Sequence, residues 1–189
     1  MNFRPDIETV RHIAAEGTCK VLPVSCEILS DITTPIEALK ILKNVSDHCY
    51  LLESVAARET WGRYTFLGFD PKMEITCTDG EMKAGNLTFK TDNPSACLRQ
   101  ILADYKSPRF DYLPSFTGGL VGYFSYDYLS YSEPAVRTGA QDTEAFRDVD
   151  LMLFDKLIVF DNYRQKLLLI AGVSTDHLAA SYRQAEADL

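Results

Sequence analysis

The chain has 189 residues, of which 46% are hydrophobic and 24% are charged, a composition typical of a soluble globular protein with a sizeable core. Its formal net charge is −8, from 19 Lys and Arg against 27 Asp and Glu. Because the chain carries no basic cluster that could displace counterions, this balance argues against binding to nucleic acid and to anionic membranes. The length predicts a single domain over residues 1–189.

The first third of the chain predicts two helices and a strand. Apolar residues recur at helical spacing from Asp6 to Glu16, and Lys20 to Leu29 is predicted to be an edge strand because Pro23 interrupts it. Thr34-Pro35-Ile36-Glu37 is the clearest helix start, since Thr34 can cap and Glu37 completes a capping box. The apolar positions that follow predict one buried stripe: Ile36, Leu39, Leu42 and Val45.

The next stretch combines two strand-like runs with polar groups between them. The apolar run Cys49 to Leu52 ends at Glu53 and Ser54. A polar link then leads to Arg63 and to a second apolar run, Phe66 to Phe69. Two strands that bring a carboxylate, a hydroxyl and a guanidinium together could form a site for a small zwitterion.

Short strands and a third helix are predicted further on. Asp79-Gly80 and Gly85-Asn86 are typical of turns between antiparallel strands. The predicted elements are strands within Lys72 to Cys77 and Glu81 to Lys90, and a helix that begins at Asn93-Pro94.

Phe116 to Asp127 is a glycine-rich, strand-like run that lacks the G-x-G-x-x-G spacing. Glycines inside a strand permit close approach of another backbone, so packing is the favoured interpretation and direct ligand contact is the alternative. The tyrosines of this region are expected to pack in the core or at an interface, with ligand stacking as the alternative: Tyr123, Tyr126, Tyr128 and Tyr131.

The C-terminal part predicts a hairpin and a helix. Leu151 to Phe160 and Leu167 to Val173 are almost continuously apolar, which favours strands that are covered on both faces. The last helix has Ser174 and Thr175 as cap candidates and runs to the end of the chain without a terminating residue. This pattern suggests that the chain is part of a longer protein.

The sequence offers little that points to catalysis or to metal binding. His12, His48 and His177 are far apart and are interpreted as surface residues. The five cysteines lack C-x-x-C spacing, which indicates reduced thiols, and the polar N-terminus is unlike a signal peptide, so a cytoplasmic location is expected. No nucleophile, base and oxyanion site can be assembled, so no catalytic residue and no metal ligand is predicted in this chain.

Glu53, Ser54 and Arg63 suit an amino-acid ligand. Glu53 could bind the ammonium group, Ser54 or Arg63 could bind the carboxylate, and neighbouring apolar side chains such as Leu52 could form walls. Neighbours on a regular strand point to opposite faces, so Glu53 and Ser54 share a pocket only if the strand ends or bulges there. The spacing alone favours another interpretation, an ion pair between Glu53 and Arg63 that closes the connection between the strands, with Ser54 in a turn.

Several segments together resemble the N-terminal region of anthranilate synthase component I, a chorismate-utilising enzyme. They occur in the same order as in that family and are distributed over most of the chain. The matching segments are Asp31 to Leu39 (DITTPIEAL), Leu51 to Ser54 (LLES), Gly62 to Gly68 (GRYTFLG), Phe116 to Asp127 (FTGGLVGYFSYD) and Asp155 to Asn162 (DKLIVFDN).

The resemblance implies a fold and a regulatory site. The expected fold class is α+β, with an antiparallel, β-rich, sandwich-like sheet and helices packed outside it. In that family the LLES segment helps to bind L-tryptophan, the feedback inhibitor, which assigns effector binding to Leu52, Glu53, Ser54 and Arg63. The family also implies contact with a glutamine amidotransferase subunit, component II, which supplies ammonia.

The resemblance also limits what this chain is expected to do. Family members are longer, and their residues for chorismate and Mg²⁺ lie in a C-terminal region that residues 1–189 lack. The full-length enzyme is expected to convert chorismate and ammonia to anthranilate and pyruvate with Mg²⁺, whereas this portion alone is expected to be inactive and to bind no cofactor. The alternatives are the matching part of aminodeoxychorismate synthase component I and a non-enzymatic module for tryptophan binding or subunit docking.

Overall fold

The computed structural model describes residues 2–53, 62–133, 135–136 and 144–189, and these form eleven strands and five α-helices. Two antiparallel sheets account for the strands, which confirms the predicted α+β class. The chain divides into two compact units, one of residues up to 71 with 104–119 and 154–189, the other of residues 72–103 and 120–153. None of the described helices combines the length and apolarity that crossing a bilayer requires.

The first unit is built around a six-stranded sheet with the order β1-β2-β11-β10-β4-β3. Its strands are β1 (Phe3–Arg4), β2 (Val21–Leu29), β3 (Cys49–Leu52), β4 (Tyr64–Phe69), β10 (Lys156–Asp161) and β11 (Lys166–Ser174). The helices of this unit are α1 (Ile7–Ala15), α2 (Pro35–Leu42) and α5 (Leu178–Asp188).

Both faces of this sheet are covered, as the continuous apolarity of β10 and β11 predicts. Helices α1 and α5 bury Val10 and Tyr182 against Leu22 and Val173, while α2 packs on Leu67 and Phe160. On the opposite face an aromatic-rich segment after α3, which includes Phe110 and Phe116, covers Leu157, Val159 and Ile170. The sheet is therefore the central layer of the first unit.

Helix α2 begins as predicted and buries part of the predicted stripe, since Leu39 and Leu42 pack on the core. The Thr34 Oγ1 accepts from the Glu37 amide and the Glu37 carboxylate accepts from the Thr34 amide, which confirms the capping box. Ala38 and Leu42 are buried, whereas Ile36 is 51% exposed and Val45 70% exposed. The helix ends at Leu42, so its periodicity does not extend to Val45, and Ile36 lies at the margin of a stripe centred on Ala38 and Leu42.

The second unit is built around a five-stranded sheet with the order β7-β6-β5-β9-β8. Its elements are β5 (Met73–Thr78), β6 (Glu81–Ala84), β7 (Leu87–Lys90), α3 (Pro94–Asp104), β8 (Gly119–Phe124), α4 (Leu129–Ser132) and β9 (Val149–Phe154). Helix α3 buries Leu98 against Ile75, Met82 and Val149. The turns predicted at Asp79-Gly80 and Gly85-Asn86 join β5 to β6 and β6 to β7.

Two boundaries in the C-terminal part differ from the sequence prediction. The apolar run from Leu151 to Phe160 is two strands rather than one, because the chain leaves the second sheet after Phe154 and enters the first at Lys156. Both strands bury side chains on both faces, so the apolar pattern continues across the break and hides it. Helix α5 begins at Leu178 rather than at Ser174 or Thr175, because β11 extends to Ser174.

A tyrosine hydroxyl links α4 to the β5–β6 turn within the second unit. The Tyr131 hydroxyl donates to the Asp148 carboxylate at 2.7 Å and accepts from the Gly80 amide at 2.7 Å. Burial, followed by the hydrogen bond to Asp148, raises the pKa of this phenol. Tyr128 and Tyr131 pack against the core, as expected, whereas Tyr126 is 75% exposed.

We expect Tyr131→Phe to lower the free energy of unfolding by about 1–2 kcal/mol, because it leaves the Gly80 amide without its partner and removes one of the two donors to Asp148 Oδ2, the other being the Asp79 amide. Urea unfolding monitored by circular dichroism measures the change. Tyr126→Phe is the matched control, since it removes a hydroxyl from an exposed ring. Equal losses in the two variants would contradict a specific role for the Tyr131 hydroxyl.

Candidate functional site

The predicted site lies where β3 ends and β4 begins. The two strands pair antiparallel, with Leu51 opposite Leu67 and Leu52 opposite Phe66. Glu53 directly follows β3, and Arg63 directly precedes β4, so both lie at the same end of the strand pair. Ser54 lies outside the described residues.

Leu52 is on the face of the sheet that carries aromatic side chains. Residues directly opposite each other in an antiparallel pair share a face, so Leu52 and Phe66 are neighbours. The Phe66 ring packs edge-on against Phe116, with ring centroids 5.7 Å apart. Leu51 points to the other face, where it packs with the core under α2, while Leu52 remains 49% exposed. Leu52 and Phe66 thus form an apolar surface that solvent can reach.

Tyr50 lies on the same face as Leu52, two residues earlier. Its ring crosses Gly68, where an added Cβ would lie 2.1 Å from a ring carbon, and contacts Phe154 with ring centroids 4.8 Å apart. Within the described part of the chain its buried hydroxyl has no hydrogen-bond partner, and burial raises the pKa of the phenol. Tyr50 therefore extends the apolar surface towards the centre of the sheet.

The partner of Arg63 is Asp161, not Glu53. The Arg63 Nε donates to Asp161 Oδ1 at 3.0 Å, and Nη2 donates to Oδ2 at 2.5 Å. The side chain of Asp161 is 4% exposed and that of Arg63 is 23% exposed. The predicted ion pair between Arg63 and Glu53 was therefore wrong, because the carboxylate that Arg63 contacts is that of Asp161. Glu53 is exposed at the end of β3.

Asp161 is positioned by β10 and by the turn that follows it. It lies opposite Tyr64 in the β4–β10 pair, and its Oδ1 also accepts from the Arg164 amide at 3.0 Å. Burial acts to raise the pKa of this carboxyl, but the hydrogen bonds from Arg63 and Arg164 outweigh it, so the pKa is lower than usual. The hydrogen bond to Asp161 likewise raises the pKa of Arg63. Both groups are therefore held in their charged forms.

Sequence reasoning missed Asp161. This residue follows the apolar run that ends at Phe160, and it is 98 residues from its partner. The one signal in the sequence is a carboxylate at the end of an apolar run, which resembles the pattern of Leu52 and Glu53. The register between β4 and β10 brings Asp161 beside Tyr64 and Arg63, and this register cannot be derived from the sequence.

Other groups considered from the sequence do not join this site. His12, His48 and His177 are all exposed, and the five thiols are free, with Cys19, Cys26 and Cys77 buried. Gly122 of β8 packs closely on backbone, in agreement with the packing interpretation: an added Cβ there would lie 2.0 Å from the Asp150 carbonyl oxygen. In the ranges that the structure describes, no group of three or more His, Cys, Asp or Glu side chains could hold a metal ion.

Comparison with known proteins gives a consistent match over most of the chain. The family model described as chorismate binding enzyme matches residues 47–188. Anthranilate synthase component 1 of Acinetobacter calcoaceticus is 33% identical over 177 residues, which cover 89% of this chain and 35% of that protein. The corresponding protein of Pseudomonas aeruginosa is 32% identical over 190 residues, which cover 96% of this chain and 38% of that protein.

A solved structure agrees with these sequence matches. The crystal structure of anthranilate synthase component I from Streptococcus pneumoniae matches with a TM-score of 0.53 and 26% identity, over 85% of this chain and 36% of that one. The chain thus spans about a third of the length of the relatives it matches. Since the family model covers well over half of its residues, the chain belongs to the chorismate binding enzyme family.

Proposed function

We propose that this chain is the N-terminal portion of an anthranilate synthase component I, a lyase of tryptophan biosynthesis. The full-length enzyme would add ammonia from glutamine to the ring of chorismate and release pyruvate to leave anthranilate. The observation that carries this proposal is the match of some nine-tenths of the chain to proteins named anthranilate synthase component 1. Residues 1–189 on their own would not catalyse the reaction, since their sequence predicts no set of nucleophile, base and oxyanion site.

The role proposed for this portion is regulatory. A tryptophan molecule bound at the end of β3 would meet the exposed carboxylate of Glu53, the guanidinium of Arg63 and the apolar surface of Leu52, with Ser54 as a further polar group. Such a site offers a partner for each part of an amino acid: ammonium, carboxylate and indole. Inhibition then requires that tryptophan bind the inactive state of the enzyme more tightly than the active state.

The proposal includes partners and a location that follow from the family. A glutamine amidotransferase subunit would deliver ammonia, and the enzyme would act in the cytoplasm. Mg²⁺ would assist the chemistry on chorismate when bound to the full-length enzyme. The described residues do not present a fitting set of ligands for it, so no step is assigned to a metal held by them.

Product analysis tests the proposed activity. Purified full-length enzyme, supplied with chorismate, ammonium and Mg²⁺, should produce anthranilate, which is followed by its fluorescence and by chromatography. Accumulation of aminodeoxychorismate instead would favour the folate-pathway relative. A full-length protein that binds tryptophan but consumes no chorismate would favour the non-enzymatic module.

We expect Ser54→Phe and Glu53→Gln to abolish most of the tryptophan inhibition. The bulky ring would fill the space of the effector, and the amide would remove the partner of its ammonium group. The measurement is the ratio of initial rates with and without tryptophan, which should rise towards one in both variants. The control for loss of one surface carboxylate is Glu8→Gln, since Glu8 is an exposed residue of α1. Inhibition that stays at the wild-type level in both site variants would contradict the assignment.

A further inference from the structure

We infer that Asp161 is a positioning residue of the proposed effector site, which orients Arg63 so that one edge of the guanidinium faces the carboxylate of an amino-acid ligand. This inference rests on the proposed function, because it takes the end of β3 as the effector site. It adds a residue that lies on a different strand and that the LLES segment does not include.

The first step is the geometry of the pair. Asp161 uses the Nε and Nη2 of Arg63, which is the side-on arrangement of a guanidinium and a carboxylate. A guanidinium has five N–H donors in a rigid plane, so this arrangement uses two of them and leaves three outside the pair: the second N–H of Nη2 and both of Nη1. Because nearly a quarter of the Arg63 side chain is exposed, a ligand in solution can reach it.

The second step is the rigidity of the guanidinium. Its carbon lies 4.8 Å from the centre of the Tyr64 ring and 5.8 Å from that of Tyr163, so aromatic faces contact it in addition to Asp161. The Asn162 amide donates to the Arg63 carbonyl at 2.9 Å, and the Asn162 side chain donates to Thr65 at 3.1 Å. The turn after β10 therefore holds both the backbone and the side chain of Arg63.

The third step is the position of this edge relative to the other groups. Arg63 precedes β4 at the end of the strand pair where β3 finishes in Leu52 and Glu53. The Tyr64 ring beneath the guanidinium lies 5.9 Å from the Phe66 ring, which is opposite Leu52. A donor for a carboxylate, an apolar surface and an exposed carboxylate thus lie at one end of two strands. This arrangement matches an aromatic or apolar amino acid in its zwitterionic form.

A purely structural ion pair would account for the burial of Asp161 but predicts a different response to ligands. If Asp161 only stabilised the sheet, its replacement would weaken every ligand at the site alike or none of them. If Asp161 orients the edge that meets a carboxylate, its replacement should weaken a ligand that has a carboxylate and spare one that lacks it. L-tryptophan and tryptamine differ only in that group.

The experiment measures the dissociation constants of L-tryptophan and tryptamine by calorimetry on the full-length enzyme. We expect Asp161→Asn to raise the dissociation constant of tryptophan by about tenfold, because the guanidinium loses its fixed geometry. The dissociation constant of tryptamine should change by less than about twofold. Glu27→Gln is the matched control: it breaks the ion pair with Lys166, which also joins two strands of this sheet, and should leave both constants unchanged.

Arg63→Lys provides a second variant in case Asp161→Asn does not fold. Lysine keeps the positive charge beside Asp161 but has no second planar edge. The binding of tryptophan should therefore again be weaker, and the binding of tryptamine should be unchanged. Equal weakening of both ligands, or unchanged tryptophan binding in both variants, would overturn the positioning role. Wild-type enzyme that binds no tryptophan would instead refute the effector site itself, and the inference with it.

Discussion

Replacement of Gly122 by alanine is expected to lower the free energy of unfolding by about 3–5 kcal/mol, from backbone strain and a steric clash together. Gly122 has a φ of +154°, which residues other than glycine rarely adopt. An added Cβ would lie 2.0 Å from the Asp150 carbonyl oxygen and 2.8 Å from the Leu151 Cα. Both atoms belong to the backbone of β9, so no rotamer change relieves the clash.

A control within the same unit separates the two causes. Gly85 also has a positive φ, +56°, but its added Cβ would meet only the Met73 Cγ at 3.5 Å, an ordinary contact. Gly85→Ala should therefore lose only about 1 kcal/mol, from the backbone alone. Urea unfolding of the two variants gives the comparison. Similar losses would show that close approach to β9 does not matter, and a stable Gly122→Ala enzyme that lost activity would revive the ligand-contact interpretation of the glycine run.

Replacement of Asp161 by alanine is expected to lower the free energy of unfolding by about 3 kcal/mol at neutral pH. Removing one partner of a buried ion pair leaves the other charge uncompensated, which costs about 3–5 kcal/mol. The lower end applies because 23% of the Arg63 side chain is exposed and water can solvate it in part. Glu27→Ala breaks a more exposed pair and should lose about 1 kcal/mol or less.

The contribution of Asp161 should depend on pH in a defined direction. Its pKa is lowered in the folded state, because the hydrogen bonds from Arg63 and Arg164 outweigh the opposing effect of burial. A carboxyl of this kind stabilises the fold fully above its unfolded pKa of about 4, and the stabilisation is lost as the pH falls through the lower folded value. The difference in unfolding free energy between wild type and Asp161→Asn should thus be constant above about pH 5 and shrink below pH 4.

Urea titrations at several pH values between 7 and 2.5 test this direction. The exposed pair variant Glu27→Gln again serves as the comparison, because it controls for the general loss of stability in acid. A difference for Asp161→Asn that stays constant down to pH 2.5, or that grows in acid, would show that the pKa of Asp161 is not lowered in the folded protein.

The local elements were largely predictable from neighbouring residues. The capping box of Thr34 and Glu37, the turns at Gly80 and Gly85 and the strand Cys49–Leu52 all depend on residues within a few positions of one another. Such interactions are encoded in short stretches of sequence. The predicted start of α5 was wrong because it depends on a contact between residues that are distant in sequence. Ser174 is a suitable cap residue, but its pairing with Val21 keeps it in β11.

The candidate site was only partly predictable. The resemblance to anthranilate synthase component I directed attention to Leu52, Glu53, Ser54 and Arg63, and the structure places the three that it describes at one end of the β3–β4 pair. Their role in binding tryptophan stays a prediction. The connection to Asp161 could not be predicted, because it depends on which strand lies beside β4.

The sequence alone determined the local elements, because these depend on apolar patterns, turn residues and short motifs. Its motifs also carried the family resemblance, which implied the α+β class. Only the tertiary structure decided that Leu151 to Phe160 divides between two sheets and that Arg63 pairs with Asp161. The chain has 27 acidic residues, and Glu53 is much closer to Arg63 in sequence than Asp161 is. The antiparallel register of β4 and β10 selects Asp161, since it sets this carboxylate opposite Tyr64 and buries it within reach of the guanidinium.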